Sequence, residues 1–317
     1  MGLFKKASEL KEKQTISALI YGQPGAGKST IAVSAPSPVA VFDFDGGIQR
    51  VNVAHLSEAE ILQVTKWEEV GEALASEEIN SINTIVIDTA GKMLSYMDKY
   101  IIANSRDRRP TRSLTLNEYG TRKVMFNNFV QQVITMGKNL IFVAHDREEK
   151  DGEVKKIRPE IGGSSSGDLI KELDLVGYLE IIGNDRIISF TPSERYYAKN
   201  ACSLPPRMSV PVVLDDKGEM IKVNGRVKRN TFMTDIIKMY TSSQSERNQK
   251  LAQYETLKEI LADKVGTVAD AASANSIYKE ISAMEVIFDS ELYGKQLLHE
   301  KTISLGLKWD KMKKEYV

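Results

Sequence analysis

A chain of 317 residues, 42% of them hydrophobic, holds enough apolar material for the cores of about two domains, which excludes collagenous and globally disordered classes. Lysine plus arginine and aspartate plus glutamate each total 43, so whole-molecule attraction to a polyanion is excluded and any basic surface has to be local. One cysteine and three histidines exclude a disulfide framework and leave no zinc-like spacing, a usage that fits a reducing cytoplasm.

The first segment, residues 1–14, begins "MGLFKKASELKEK" and has no apolar h-region; Lys6 stands where a myristoylation signal needs Ser or Thr, and no later run approaches a membrane span. The expectation is a cytoplasmic protein without membrane attachment. The strand-like "ISALIY" follows, then "GQPGAGKST", which satisfies G-x-x-x-x-G-K-[ST] with Gly22, Gly27, Lys28 and Ser29. Glycines at these positions let the backbone of Gly22, Gln23, Pro24, Gly25, Ala26, Gly27, Lys28, Ser29 and Thr30 wrap a phosphate with converging N–H groups. Lys28 reaches the β and γ phosphates, and the Ser29 hydroxyl ligates Mg²⁺. ATP with Mg²⁺ is the expected ligand.

Pro36 and Pro38 limit the helix after Lys28 to about two turns, and "VAVFDFDGG" follows as a buried strand ending in Asp43 and Asp45. In "NTIVIDTA" the β-branched run Ile85, Val86, Ile87 marks a strand covered on both faces, ended by Asp88, the carboxylate expected to support the Mg²⁺ site. "NSRDRRPTRSLTLN" carries Arg106, Arg108, Arg109 and Arg112 without apolar period and reads as a mobile basic loop. After the strand-like "NLIFVAHDRE" comes a second loop, "DREEKDGEVKKIRPEIGGSSSGD", with Lys155, Lys156 and Arg158. "LDLVGYLEIIG" and "RIISFTPSERYYAKN" read as further strands. The polar stretch 241–250 reads as a linker to a helical module over 251–317, in which Leu251, Tyr254, Leu257 and Leu261 share one helical face.

The succession "GQPGAGKST", "VFDFDGG", "TIVIDTA", "NLIFVAHDRE" resembles the phage nucleotide-binding proteins of the RecA-like superfamily, a group that includes single-strand annealing and recombination ATPases; the resemblance spans roughly residues 15 to 232. It implies an α/β core over 15–240 with a mostly parallel sheet, and an ATPase with ATP bound between subunits of a ring or filament. It further implies that Asp45 polarises the attacking water, where the familiar member has glutamate, and that His145 senses the γ-phosphate. Lys199, with Arg195 second to it, would reach the ATP of the neighbouring subunit. The two basic loops fall where RecA-like proteins hold single-stranded DNA, so the expected partners are single-stranded DNA, further copies of the chain and a single-strand-binding protein. Two rivals stand beside this reading. One is a small-molecule kinase with the arginine loop as lid; the other is an ATP-gated switch that scarcely hydrolyses.

Overall fold

Strands whose residues are apolar throughout have to be covered on both faces, and they occupy the middle of the sheet. The computed structural model describes residues 13–110, 112–151, 154–162 and 170–317. In it β1 (Ser17–Gly22), β2 (Val39–Asp43) and β4 (Thr84–Asp88) are buried at every position. With β3 (Ala59–Gln63), β5 (Asn139–Asp151) and β7 (Leu175–Ile182) they form a parallel array in the order β7-β1-β5-β4-β2-β3. The edge strand β3 is half-exposed. Beyond β7 the sheet turns antiparallel through β8 (Asp185–Ser189) and β10 (Arg207–Ser209), with β9 (Lys199–Asn200) also paired to β7.

Period-two alternation divides the strand side chains between two cores. Leu19, Tyr21, Phe42, Ile87 and Phe142 face α2 (Glu68–Ala75), α3 (Ala90–Ala103) and α4 (Leu116–Thr135), where Val70, Met93 and Phe126 meet them. Ala18, Ile20, Val41, Val86 and Val143 face α1 (Lys28–Ala32) and the first turns of α5 (Phe232–Gly266), through Ile31, Met233 and Ile236. Each such side chain contributes about 1.5–3 kcal/mol on leaving water. The α/β core with a mostly parallel sheet is thus as expected from the sequence.

The short helix α1 is fastened at its far end by residues distant in sequence. Ser34 Oγ accepts the Met233 N–H (3.0 Å), Thr234 Oγ1 donates to the Ser34 carbonyl (2.8 Å), and Asn230 Nδ2 donates to the Thr30 carbonyl (3.3 Å). The last of these occupies a carbonyl that a five-residue helix leaves open, and the other two hold the turn that follows it.

One expected loop and the expected linker are regular structure. Residues 241–250, expected as a linker, are helical, inside α5, because their Thr, Ser, Gln, Glu, Arg, Asn and Lys residues include no glycine or proline to stop a helix. The second basic loop is a hairpin. β5 runs 13 residues, and its outer half pairs antiparallel with β6 (Val154–Pro159). The stretch 163–169, with Gly163 and the serine run, lies outside the described residues.

The described residues divide into two compact units, 13–241 and 242–317. The second holds the remainder of α5 with α6 (Ala271–Ala283) and α7 (Ser290–Ser304), closed around Leu261, Val265, Ile277, Ile281 and Leu298. An Asp270–Ser273 capping box starts α6, and Gly294 lets α7 approach to where a Cβ would lie 3.2 Å from Ile281.

Candidate functional site

Parallel strands deliver their carboxyl ends to one edge of the sheet, and there the loop 22–30 closes a cavity of about 250 Å³. Pro24, Gly25, Gly27, Lys28, Ser29 and Thr30 line it from the loop and α1; Asp45 lines it from just past β2, Asp88 from the end of β4 and His145 from the middle of β5. Of the expected phosphate-side and water-side residues, these nine share the cavity, whereas Gly22, Gln23, Ala26 and Lys199 are not in its lining.

Two glycines are required by geometry. A Cβ on Gly22 would stand 2.1 Å from the Leu179 carbonyl oxygen, so only glycine lets β1 run this close to β7. Gly27 has φ 97°, left-handed, and opens α1 without a side-chain cap, which leaves the first N–H groups of that helix for a ligand.

Lys28 is 4% exposed and folds back on its own loop, donating to the carbonyls of Gly22 (2.9 Å) and Gln23 (2.7 Å). Burial pushes its pKa down, opposed by the carboxylates of Asp146 and Asp88. Asp88 is 3% exposed, and burial raises its pKa to about 6; the Ser29 hydroxyl bonded to it works the other way, while the charges of Asp45 and Asp43 add to the rise.

Asp43 and Asp88 are register partners on β2 and β4, and His145 sits opposite Gly22 on β5. Each carries a buried polar atom without a hydrogen-bond partner among the described residues: Asp43 Oδ2, Asp88 Oδ2 and His145 Nδ1. The other oxygen of Asp43 accepts the Gly47 N–H at 3.1 Å, which Asp45 Oδ1 also accepts, at 2.8 Å. Unsatisfied buried atoms of this kind are uncommon, and those on Asp88 and His145 belong to residues that line the cavity. Among the described residues no group of three carboxylate, histidine or cysteine side chains is arranged to cage a metal. Mg²⁺ needs no cage: it keeps several waters and takes one or two protein oxygens together with phosphate oxygens. The Ser29 hydroxyl and the free oxygen of Asp88 fit that demand.

Arg50 was not singled out by the sequence. It closes a 3-10 turn, Gly47–Arg50, and lines the cavity as a second cation beside Lys28. A lone arginine five residues past Asp45 has no distinguishing pattern; only the turn made by left-handed Gly46 aims the chain there.

The remaining expected residues lie elsewhere. Lys199 is on β9, opposite Val176, and donates to the Lys171 carbonyl at 2.6 Å. Arg195 is exposed, and its carbonyl accepts the Ile157 N–H at 2.7 Å. In the arginine loop, Arg109 pairs with Asp107 at 2.7 Å and Arg108 donates to the Ser105 carbonyl. Arg112, with a side chain only 12% exposed, forks onto both oxygens of Glu118, the residue that completes the capping box of α4 with Thr115. Arg112 thus braces a helix start, whereas Arg106, Arg108 and Arg109 are exposed. On the hairpin, Lys155 pairs with Glu148 (3.0 Å) and Arg158 with Glu149 (3.8 Å), while Arg158 also stands 5.7 Å over the Tyr197 ring.

The chain is similar to known proteins in one family and in several solved folds. The family described as AAA domain matches residues 14–202. Among solved structures, the RadB recombinase is 14% identical with a TM-score of 0.38, covering 56% of this chain and 80% of its own. The flagellar accessory protein FlaH from Methanocaldococcus jannaschii is 10% identical with a TM-score of 0.39, covering 67% of this chain and 91% of its own. No curated protein matches the sequence.

Proposed function

Because the chain belongs to the AAA domain family, we propose that it binds ATP with Mg²⁺ in the cavity at the ends of β1, β2, β4 and β5, and uses the state of that nucleotide to control a grip on single-stranded DNA. The observation that carries the nucleotide reading is the pair of orphaned buried atoms on Asp88 and His145, which line the cavity with Lys28, beside a third on Asp43, the register partner of Asp88. Loop N–H groups cradle the phosphates, and Lys28 exchanges its two loop carbonyls for phosphate oxygens. Ser29 and Asp88 would hold Mg²⁺, which would neutralise phosphate charge. Asp45 accepts the proton of the attacking water, and His145 donates to the γ-phosphate.

The DNA reading is supported by the continuity of β5. The same strand that carries His145 continues into the hairpin, where Arg158, Lys156 and Lys155 lie opposite Arg147, Glu149 and Lys150, so the basic residues stand about 7 to 17 Å along the strand from the phosphate end. Exposed ion pairs such as Lys155–Glu148 are worth little and exchange readily for DNA phosphates. Arg106, Arg108 and Arg109 add a second grip. In this reading the chain acts as an oligomer, Lys199 reaches the neighbour's ATP, and the outcome is annealing or strand pairing in phage recombination, with a single-strand-binding protein as a further partner.

The test is a titration of labelled single-stranded DNA with and without ATP and Mg²⁺, followed by anisotropy and by electron microscopy of the complexes. Nucleotide-dependent binding on rings or filaments is expected; equal, weak binding in every condition overturns the DNA reading. A second reading, a switch that scarcely hydrolyses, is favoured by Asp45, whose short side chain is partly committed to the Gly47 N–H. Single-turnover hydrolysis distinguishes the two.

A further inference from the structure

The loop 22–30 has an outer face as well as a phosphate face, and one side chain covers it. Arg186, on β8 opposite Ile181 of β7, donates its Nε–H to the Ala26 carbonyl at 3.1 Å. Its Nε stands 3.4 Å from where a Cβ on Gly27 would be. Among the described residues this carbonyl is the one hydrogen-bond partner of its guanidinium, and the residue is otherwise exposed.

We infer that Arg186 is a positioning residue for phosphate binding, setting the direction of the Ala26–Gly27 peptide from outside the site. In a trans peptide the carbonyl and the following N–H point in opposite directions. Fixing the Ala26 carbonyl outward against a cation therefore aims the Gly27 N–H inward, at the place where the loop cradles phosphate. Left-handed Gly27 has the freedom to rotate that peptide, and the charge-assisted hydrogen bond removes it. The β7–β8 hairpin is well placed for this. Its Leu179 carbonyl already abuts Gly22 at the start of the loop, so one ribbon fixes both the entry of the loop and its last turn before Lys28.

This inference rests on the nucleotide reading above, and its experiment separates the two. Affinities for ATP, ADP, AMP and inorganic tripolyphosphate are measured by calorimetry for the wild type, R186M, R186K and K28A, each with its melting temperature. R186M is expected to weaken ATP, ADP and tripolyphosphate alike by about tenfold, the effect of one charge-assisted hydrogen bond. AMP, which has no β-phosphate for the Gly27 N–H, is expected to change by less than about twofold, and R186K is expected to recover most of the loss. Unchanged melting temperatures are expected from an exposed side chain. ATP affinity in R186M within about twofold of wild type, with K28A defective, overturns the role of Arg186 and leaves the nucleotide reading standing. So does a loss that AMP shares or that R186K fails to recover. Should K28A bind ATP as tightly as the wild type, the nucleotide reading itself falls.

Discussion

The cavity edge and the arginine loop are both rich in charge, yet they treat it in opposite ways. At the strand ends Asp43 and Asp88 are almost fully buried, and each leaves an oxygen without a partner among the described residues. In the loop, Arg109 has Asp107 and Arg112 has both oxygens of Glu118, although this segment is far closer to water. Burial without pairing is costly and persists where something outside the chain supplies the partner; pairing near the surface completes local structure. Charge density alone, which is what a sequence displays, does not separate these cases.

Four variants break or sharpen that contrast. Asp45→Asn is expected to slow ATP turnover by about 10²–10⁴-fold with ATP affinity retained, because it removes a proton acceptor and no group that touches phosphate; turnover at the wild-type rate would move the role to Asp43. Asp88→Asn is expected to abolish Mg²⁺-dependent nucleotide binding while stabilising the protein. Folding raises the Asp88 pKa from 3.8 to about 6, so the folded state holds the proton more tightly. The resulting stability is complete below about pH 4 and is lost as pH rises through about 6, a cost of about 3 kcal/mol at about pH 8. Urea unfolding of wild type and Asp88→Asn across about pH 4–8 should show the two converging in acid and separating in base. A constant gap would mean that Asp88 is not the titrating group.

On the loop side, Arg112→Ala is expected to lower the melting temperature and increase amide exchange in the first turn of α4, with DNA affinity unchanged. Loss of DNA affinity without loss of stability would return Arg112 to the DNA surface. Smallest in its effect on the fold is the triple change of Lys155, Lys156 and Arg158 to alanine. Stability is expected to stay within about 0.5 kcal/mol, while the log–log salt slope of single-stranded DNA binding flattens by about 0.7 for each phosphate no longer neutralised. An unaltered slope would remove the hairpin from the interface.

What the sequence made legible was whatever depends on unbroken local pattern. The buried strands followed from the runs Ala18–Tyr21 and Ile85–Ile87, and the phosphate loop from the spacing of Gly22, Gly27 and Lys28. The β5–β6 hairpin was missed because charge pairs hold it where a sheet pattern would have apolar alternation; the Asp151–Gly152 dipeptide was the available turn signal. The linker expected at 241–250 is part of α5: polar composition alone does not end a helix, and no glycine or proline stands from Phe232 to Val265. Arg50 and Arg186 had no signal at all, since each takes its place through a turn or a strand register that joins distant parts of the chain.

The bonds from Asn230, Met233 and Thr234 to the far end of α1 bear on how the protein is made. Every recognisable motif has left the ribosome once residue 202 has emerged, and the family match also ends there. The helix that carries Lys28 is only five residues long, too short to persist by itself. Its closing hydrogen bonds form when a motif-free segment some 200 positions later arrives. The far end of the helix that carries Lys28 is therefore closed only after synthesis has passed well beyond the signature residues themselves.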